Sequence, residues 1–144
     1  MDIFDRILLL KKSPVFEQVA TEDLRFVAQA MDTENYLAGE RIFDIGENGD
    51  HMYVIESGLV GISLEKDPGV KKFVAKLDAG ECFGEMNLLD NLPRSATAHV
   101  LEDATLLILD TNRMHQLIIR YPELALGMLK GLSLRLRGIN SNEP

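Results

Sequence analysis

Cysteine is nearly absent from this sequence, and the shortage excludes several kinds of site. Cys82 is the only cysteine in 144 residues, so the chain cannot form an internal disulfide or a cysteine zinc cluster. The three histidines lie on different segments, without the spacing of metal ligands: His51, His99 and His115. We therefore expect no metal site. A chain without disulfides is consistent with a reducing compartment, and we expect a cytoplasmic location.

Long hydrophobic runs are missing as well. One short apolar run, Ile7–Leu10, follows two aspartates near the N-terminus and is too short and too acidic for a signal peptide. No run approaches the roughly 20 apolar residues that a membrane-spanning helix needs. The formal net charge is −8. Because phosphate contacts need a basic surface, we expect no direct contact with nucleic acid.

Patterns typical of catalysis are also missing. No nucleophile lies beside a candidate base, and no pair of carboxylates suggests acid–base chemistry. A metal-dependent oxygenase would need histidines clustered on strands, whereas the histidines of this chain are dispersed. The sequence therefore predicts a protein that is not an enzyme and has no catalytic residues.

What the sequence does contain is a helical pattern at each end and a β-rich middle. Its length predicts one domain, 1–144. Apolar residues at helical spacing predict a first helix over 2–12, and Thr21, followed by two acids, is the predicted N-cap of a second. The domain divides into three parts: N-terminal helices in 1–34, a β-roll in 35–110 and C-terminal helices in 111–144.

The middle part consists of short apolar segments separated by turn residues at roughly 8- to 12-residue spacing. Met52–Ile55 and Leu59–Leu64 are predicted to form a hairpin. Further strands are predicted at Phe73–Leu77, 95–101 and 105–109. About eight antiparallel strands with glycine turns predict a jelly roll, a mainly β fold with flanking helices (α+β). The turn signals are Ala38-Gly39, Gly46–Asp50, Ser57-Gly58, Asp67–Gly69 and Asp78–Gly80.

The C-terminal part returns to helical spacing. One helix is predicted to begin at Asp110 or Thr111, where a side chain can cap it. Pro122 suits the first position of a last helix, because its missing N–H is not needed there. Gly138 is the predicted end of that helix.

The most informative stretch is Gly80–Ala98, with the sequence G-E-C-F-G-E-M-N-L-L-D-N-L-P-R-S-A-T-A. Gly84 is followed by helix-forming residues that stop before Pro93, after about one turn. Backbone N–H groups at the start of such a turn favour an anion. Arg94 adds a planar guanidinium that suits phosphate. Glu85 would repel a bare phosphate, which indicates a ligand that also carries a hydroxyl group, such as a ribose.

This stretch resembles the phosphate-binding cassette of the cyclic nucleotide-binding domain family, which includes catabolite activators and protein kinase A regulatory subunits. The family usually has alanine or glycine where this chain has Asn87. The run G-E-x-G-D-x-M-Y-x-I-x-x-G-x-V over Gly46–Val60 is also similar to the family, so the resemblance covers nearly the whole chain. The pattern F-G-E-x-A-L followed by P-R-x-A is represented here by Phe83, Gly84, Glu85, Met86, Asn87, Leu88, Pro93, Arg94, Ser95 and Ala96.

The resemblance implies a role for several of these residues. Glu85 would bind the ribose 2′-hydroxyl and Arg94 the cyclic phosphate. Backbone N–H groups of 84–88 and of Ser95 would complete the phosphate site, and Asn87 would place a larger polar side chain near it. The predicted ligand-binding set also includes Phe83, Met86, Leu88 and Ala96.

The resemblance thus implies a regulatory module that binds cAMP or cGMP, needs no metal and signals through its terminal helices. Two alternatives stay open: a domain that has lost its ligand and binds a protein, and a sensor for another small anion. Leu126 and Leu134 are candidates for contact with a second copy or an attached effector domain. Few residues follow the last helix, so either the lid over the base is missing or the chain is one domain of a larger protein. An open pocket predicts weak selectivity between cAMP and cGMP. Ser95 is the residue that could bias that selectivity toward guanine.

Overall fold

The computed structural model describes residues 2–65 and 72–141, which belong to two compact units. The first unit is helical and consists of Met1–Ala30 with Asn112–Pro144. The second unit, Met31–Thr111, contains every described strand. Within the described part of the chain, no helix is both long enough and apolar enough to cross a membrane.

The described elements run from two helices through a sheet to two further helices, with one short helix inserted late in the sheet region. The helices are α1 (Ile3–Leu10), α2 (Thr21–Ala30), α3 (Asn87–Asp90), α4 (Thr111–Arg120) and α5 (Glu123–Ser141). The strands are β1 (Asp32–Tyr36), β2 (Arg41–Phe43), β3 (His51–Ser63), β4 (Ala75–Leu77), β5 (Cys82–Phe83) and β6 (Thr97–Asp110). This order confirms the predicted class, a mainly antiparallel β fold with flanking helices.

The N-terminal helices begin close to the predicted positions. Asp2 caps α1, because its carboxylate accepts a hydrogen bond from the backbone N–H of Asp5 at 2.8 Å. The predicted cap of α2 is displaced by one residue. The carbonyl of Ala20 accepts the first helical hydrogen bond, from Leu24 N at 3.0 Å, so Thr21 is already inside the helix.

The last helix packs closely within the first unit through a small residue. A Cβ atom added to Gly131 would lie 2.5 Å from the carbonyl oxygen of Pro14, a non-bonded distance that Cβ atoms in proteins essentially never show. Leu124 and Met128, on the same side of the helix, are buried. The absence of a side chain at 131 therefore lets the helix approach the main chain near residue 14.

The same helix does not end where the sequence indicates. It continues through Gly138 to Ser141, since a glycine in a helix interior costs only about 1 kcal/mol relative to alanine. Leu126 and Leu134 are 58% and 46% exposed, as expected for residues outside the buried stripe.

Gly131→Ala is expected to lower the free energy of unfolding by about 1–3 kcal/mol, because the new methyl group would overlap a main-chain oxygen. Gly138→Ala is the matched control on the same helix, since a Cβ atom there meets nothing within 4 Å. This control should raise stability by up to about 1 kcal/mol. Urea denaturation followed by circular dichroism measures both changes. Effects of the same sign and size would contradict the packing described for Gly131.

The strands of the second unit form one antiparallel sheet in the order β1-β6-β3-β4, with β2 paired to β6 and β5 paired to β3. Six strands are found in the described residues, rather than the predicted eight. The difference arises because two long strands replace pairs of shorter ones.

One of these long strands, β3, passes straight through Ser57-Gly58, so the predicted hairpin there is wrong. Both halves of β3 pair with β6, with Tyr53 opposite Ile108 and Ile62 opposite Ala98. The register shifts around Gly58, whose φ is +102° and whose added Cβ atom would lie 2.6 Å from the β6 backbone. Glycine provides a positive φ equally well in a bulge and in a turn. The sequence pattern therefore cannot distinguish a bulge within one strand from a turn between two strands.

The second long strand, β6, joins the predicted strands 95–101 and 105–109 into one. The strand predicted at Phe73–Leu77 is present as the shorter β4. The first strand begins at Asp32, earlier than the predicted change of pattern. The predicted turn at Asp67–Gly69 lies outside the described residues.

The core of the sheet unit follows the two-residue period of its central strands. Tyr53, Ile55 and Val60 of β3 and Leu106 and Ile108 of β6 are all buried in one cluster. Burial of an aliphatic side chain of this size contributes about 1.5–3 kcal/mol relative to exposure. The β3–β6 pair is therefore the rigid base on which the neighbouring loops are positioned.

Candidate ligand-binding site

Two stretches that lie far apart in the sequence meet at the end of this sheet. Asn48 and Pro93 form an isolated antiparallel bridge. The N–H of Gly46 donates to the carbonyl of Arg94 at 2.9 Å, and the N–H of Arg94 donates to the carbonyl of Glu47 at 2.6 Å. The Gly46–Val60 run and the cassette, which the sequence presents as separate motifs, therefore form one structural site.

The cassette contains the short helical turn that the sequence predicts. Its helix, α3, ends at Asn91, which adopts a left-handed conformation with φ 54°. The N–H of Asn87 donates to the carbonyl of Gly84 at 3.2 Å, and the N–H of Leu88 donates to that of Glu85 at 3.1 Å. Two of the amides expected to face a phosphate thus donate hydrogen bonds within the turn.

Arg94 points into the cassette and is only 5% exposed. Its Nη1 donates to Oδ1 of Asn87 at 2.8 Å, and its Nη2 donates to the main-chain carbonyl of His51 at 2.9 Å. A longer contact of 3.5 Å joins Nη1 to the carbonyl of Gly84. The guanidinium carbon lies 4.0 Å from the ring centroid of Phe43, a cation–π geometry. Arg94 is therefore held in a defined orientation by groups of the cassette and the sheet.

The charge of Arg94 is not neutralised by a contacting acid. No carboxylate of the described residues forms an ion pair with it. Burial lowers the pKa of the guanidinium, and Tyr53, Asp50 and Glu47 counteract this effect through their charges. Since buried charges in proteins are normally paired, a cation surrounded by neutral acceptors marks a place where an anion is favoured.

Three aromatic rings form the floor beneath this arginine. Tyr53 and Phe83 are stacked with their centroids 4.9 Å apart, and Phe43 lies 5.8 Å and 5.9 Å from them. Burial raises the pKa of the Tyr53 phenol, which the charge of Arg94 partly offsets. Phe43 and Tyr53 were not among the predicted site residues. The sequence feature that could have indicated Tyr53 is its position in the Gly46–Val60 run, where strand alternation places it on the same face as Ile55.

A second feature that the sequence did not reveal is the position of Thr111, the first residue of α4. Its hydroxyl lies 3.0 Å from the carbonyl oxygens of both Asn87 and Asp50, to which it donates a shared hydrogen bond. The N–H of Thr111 also donates to the carbonyl of Asp50, at 2.9 Å. The end of the sheet unit is thus attached to the main chain of the cassette.

The structure brings some of the predicted residues together and disperses others. Gly84, Asn87 and Arg94 are in direct contact. Gly84 has φ +74°, and an added Cβ atom would lie 2.6 Å from Nη1 of Arg94, so a glycine allows this approach. The other predicted residues differ in burial: Phe83 and Leu88 are buried, Glu85 and Ala96 are half-buried, and Met86 and Ser95 are exposed. Their roles toward a ligand stay predictions.

Metal-ligating side chains are not clustered here. Within residues 2–65 and 72–141, no group of three or more His, Cys, Asp or Glu side chains could hold a metal ion. His51 is partly exposed beside Asp50, with its Nδ1 2.6 Å from the carboxylate. Cys82 is half-buried on β5, opposite Val54. The chemistry of the site is therefore that of a guanidinium, an amide and main-chain groups.

Comparison with known proteins agrees with this geometry. The family model described as the cyclic nucleotide-binding domain matches residues 33–121, a span that contains both the sheet and the cassette. The chain belongs to this family.

Relatives in the family differ in how much of their length this chain covers. The "Cyclic AMP receptor protein" of Thermus thermophilus is 36% identical over 128 residues, which cover 89% of this chain and 59% of that protein. The N-terminal domain of a transcriptional regulator from Streptomyces coelicolor superposes with a TM-score of 0.84 at 27% identity, covering 94% of this chain and 97% of that chain. The regulatory domain of Toxoplasma gondii PKA, determined with cAMP, has a TM-score of 0.72 at 26% identity, covering 81% of this chain and 46% of the other. The chain thus spans about 60% of the Thermus relative and less than half of the chain in the Toxoplasma regulatory-domain structure.

Proposed function

We propose that this chain is a non-enzymatic regulatory module that binds a cyclic mononucleotide, cAMP or cGMP, at the cassette. Arg94 would contact the cyclic phosphate, and Glu85 would accept a hydrogen bond from the ribose 2′-hydroxyl. The remaining predicted residues would shape the site around the sugar and phosphate: Phe83, Gly84, Met86, Asn87, Leu88, Ser95 and Ala96.

The observation that carries the proposal is the buried, uncompensated charge of Arg94. Arg94 is 5% exposed, and its guanidinium donates only to neutral acceptors. It gains more from an oxyanion than from those acceptors, because an opposite charge adds direct attraction and allows a bidentate arginine fork. The names of relatives are consistent with this ligand class, since one is a cyclic AMP receptor and another was determined with cAMP.

We further propose that occupancy of the cassette is transmitted to the terminal helices through Thr111. This residue begins α4, and its hydroxyl bonds the main chain of Asn87 inside the cassette. A ligand that shifts the turn at Asn87 would therefore act on the start of that helix. The relatives include a transcriptional regulator and a PKA regulatory domain, so the output would depend on the segments or partners that accompany the module. The net charge of −8 makes these 144 residues themselves a poor match for nucleic acid.

One observation favours the alternative of a family domain that has lost its ligand. The amide oxygen of Asn87 and the carbonyl of His51 already accept hydrogen bonds from Nη1 and Nη2 of Arg94. In a protein-binding domain of this kind, Arg94 would serve the fold alone.

Isothermal titration of the purified chain separates the candidates. We expect cAMP and cGMP to bind, and 5′-AMP and inorganic phosphate to bind much more weakly. Glu85→Ala should weaken both cyclic nucleotides by about tenfold or more, because a hydrogen bond to a charged group is worth about 1.5–3 kcal/mol. Glu102→Ala removes the same charge from an exposed position on β6 and should leave the affinities unchanged.

Each other outcome of the titration has a defined meaning. Phosphate binding as tight as that of the cyclic nucleotides would favour a small-anion sensor. An absence of heat for every compound, with the protein folded, would favour the domain without a ligand.

A further inference from the structure

The side chain of Asn87 is the part of the site that departs from the family pattern, and it is 6% exposed. Both ends of its amide have partners. Its Oδ1 accepts from Nη1 of Arg94 at 2.8 Å, and its Nδ2 donates to the carbonyl of Leu92 at 2.6 Å. Because a carbonyl cannot donate and a guanidinium cannot accept, these partners determine which end is oxygen and which is nitrogen. The amide is therefore aimed at Arg94.

The two strong acceptors of Arg94 differ in how easily they can be replaced. The carbonyl of His51 belongs to β3, where His51 pairs with Asp110 of β6, so its position is set by the sheet. The oxygen of Asn87 is on a side chain, which can rotate about its own bonds. An oxyanion that approaches Arg94 would therefore displace the amide of Asn87 in preference to the main-chain carbonyl.

The space around the Asn87–Arg94 contact leaves little room for the amide and an oxyanion to contact the guanidinium together. A Cβ atom added to Gly49 would lie 2.5 Å from Cγ of Asn87 and 2.6 Å from Nε of Arg94. On another side, an added Cβ atom at Gly84 would lie 2.6 Å from Nη1. Main chain thus packs against the amide and the guanidinium from two directions. A phosphate bound in the bidentate geometry of an arginine fork uses two neighbouring N–H groups. Nη1 donates to both Asn87 and Gly84, Nη2 donates to His51, and Nε lies against the main chain of Gly49.

We propose that Asn87 sets the affinity of this site by competing with the ligand, its amide oxygen occupying Arg94 until an oxyanion replaces it. The inference rests on the proposed function, because it concerns the same arginine. The ligand class is a phosphodiester or another singly charged oxyanion. Asn87 acts through Arg94 and is a positioning residue, distinct from the groups that contact the nucleotide.

This competition has a signature that steric crowding does not share. If Asn87 only crowds the site, its removal tightens binding and costs the free protein only the hydrogen bond from Nδ2 to the carbonyl of Leu92. If it also serves as the acceptor for a buried guanidinium, its removal leaves that donor unsatisfied in the free protein. Asn87→Ala should then change the two quantities in opposite directions, lowering the stability of the free protein while raising the affinity for ligand.

The test combines thermal unfolding without ligand and isothermal titration with cAMP and cGMP. Relative to the native chain, Asn87→Ala should unfold at a temperature lower by about 3 °C or more and should bind about tenfold more tightly. Asn87→Asp places a carboxylate against Arg94, and this charged competitor should weaken binding by about tenfold or more.

Asp90→Ala is the matched control for loosening of the loop. The carboxylate of Asp90 accepts from the N–H of Leu92 at 3.0 Å, so it anchors the same residue that Asn87 anchors, without contacting Arg94. This variant should show no gain in affinity. A gain as large as that of Asn87→Ala would assign the effect to the loop and overturn the competition.

The remaining outcomes separate this inference from the proposed function. If the native chain binds cyclic nucleotide and Asn87→Ala binds equally or more weakly, the competition is wrong and the proposed function stands. If the native chain shows no binding and Asn87→Ala does bind, the competition is supported and the native chain is the domain without a ligand. If no variant binds either nucleotide, the proposed function fails and the competition fails with it.

Discussion

Arg94→Ala is expected to abolish detectable binding of cyclic nucleotide, a loss of at least about a hundredfold in affinity. The buried guanidinium brings a positive charge to the site, where it donates to Asn87, His51 and Gly84. A hundredfold loss corresponds to about 2.7 kcal/mol, which lies within the range for a hydrogen bond to a charged group. Isothermal titration with cAMP and cGMP measures the change.

The same substitution should also destabilise the free protein, by about 2–3 kcal/mol in the free energy of unfolding. Asn87 and His51 would lose the donor that their oxygens accept from, and the ring of Phe43 would lose the guanidinium that covers it. Urea denaturation without ligand measures this effect. The binding experiment is therefore carried out at low temperature, where circular dichroism can verify that the variant is folded.

Two further variants separate the role of Arg94 in binding from its role in the fold. Arg94→Met keeps most of the bulk against Phe43 and removes every donor, so it should bind no better than the alanine variant. Arg94→Lys keeps a point charge without the fork and should recover part of the affinity. Binding by a folded Arg94→Met variant at the native level would show that Arg94 serves the structure alone.

Gly84→Ala is expected to have the second largest effect, lowering the affinity by at least about tenfold and the free energy of unfolding by about 1–3 kcal/mol. Its φ of +74° is costly for any residue with a side chain. The added Cβ atom would lie 2.6 Å from Nη1 of Arg94 and 3.1 Å from the carbonyl of His51. The guanidinium would have to leave its present position, and the two hydrogen bonds that orient it would weaken.

Gly39→Ala is the control for backbone strain. Gly39 also has a positive φ, +96°, and an added Cβ atom would meet nothing within 4 Å. This variant should lose stability to a similar degree through strain and should keep the native affinity for nucleotide. A Gly84→Ala variant that binds as well as Gly39→Ala would contradict the close approach of Arg94 to Gly84 as a requirement for binding.

Most of the fold class was predictable because it depends on local patterns. Helical spacing near both termini and alternating segments between them predict the order of elements, and the structure has that order. The short turn after Gly84 was predictable for the same reason, since glycine before it and proline after it limit its length.

Strand boundaries were less predictable where the only signal was a short interruption of the apolar pattern. Ser57-Gly58 and the region around residues 102–103 both interrupt the apolar pattern, and each was interpreted as a break between strands. In the structure β3 and β6 pair through both interruptions. Whether a glycine makes a turn or a bulge depends on which strand lies alongside, and that is a property of the assembled sheet.

The sequence by itself determined the family-like cassette and the arginine within it, and its single cysteine excluded an internal disulfide, since these depend on residue type and spacing along the chain. Only the tertiary structure decided what Arg94 contacts. His51 and Asn87 reach it from segments 43 and 7 residues away, and Phe43 covers it from a third. A guanidinium can extend toward any nearby acceptor, so its partners depend on how the sheet brings these segments together. For that reason the sequence indicated that an arginine is available for phosphate, while the folded chain revealed that Asn87 already occupies it.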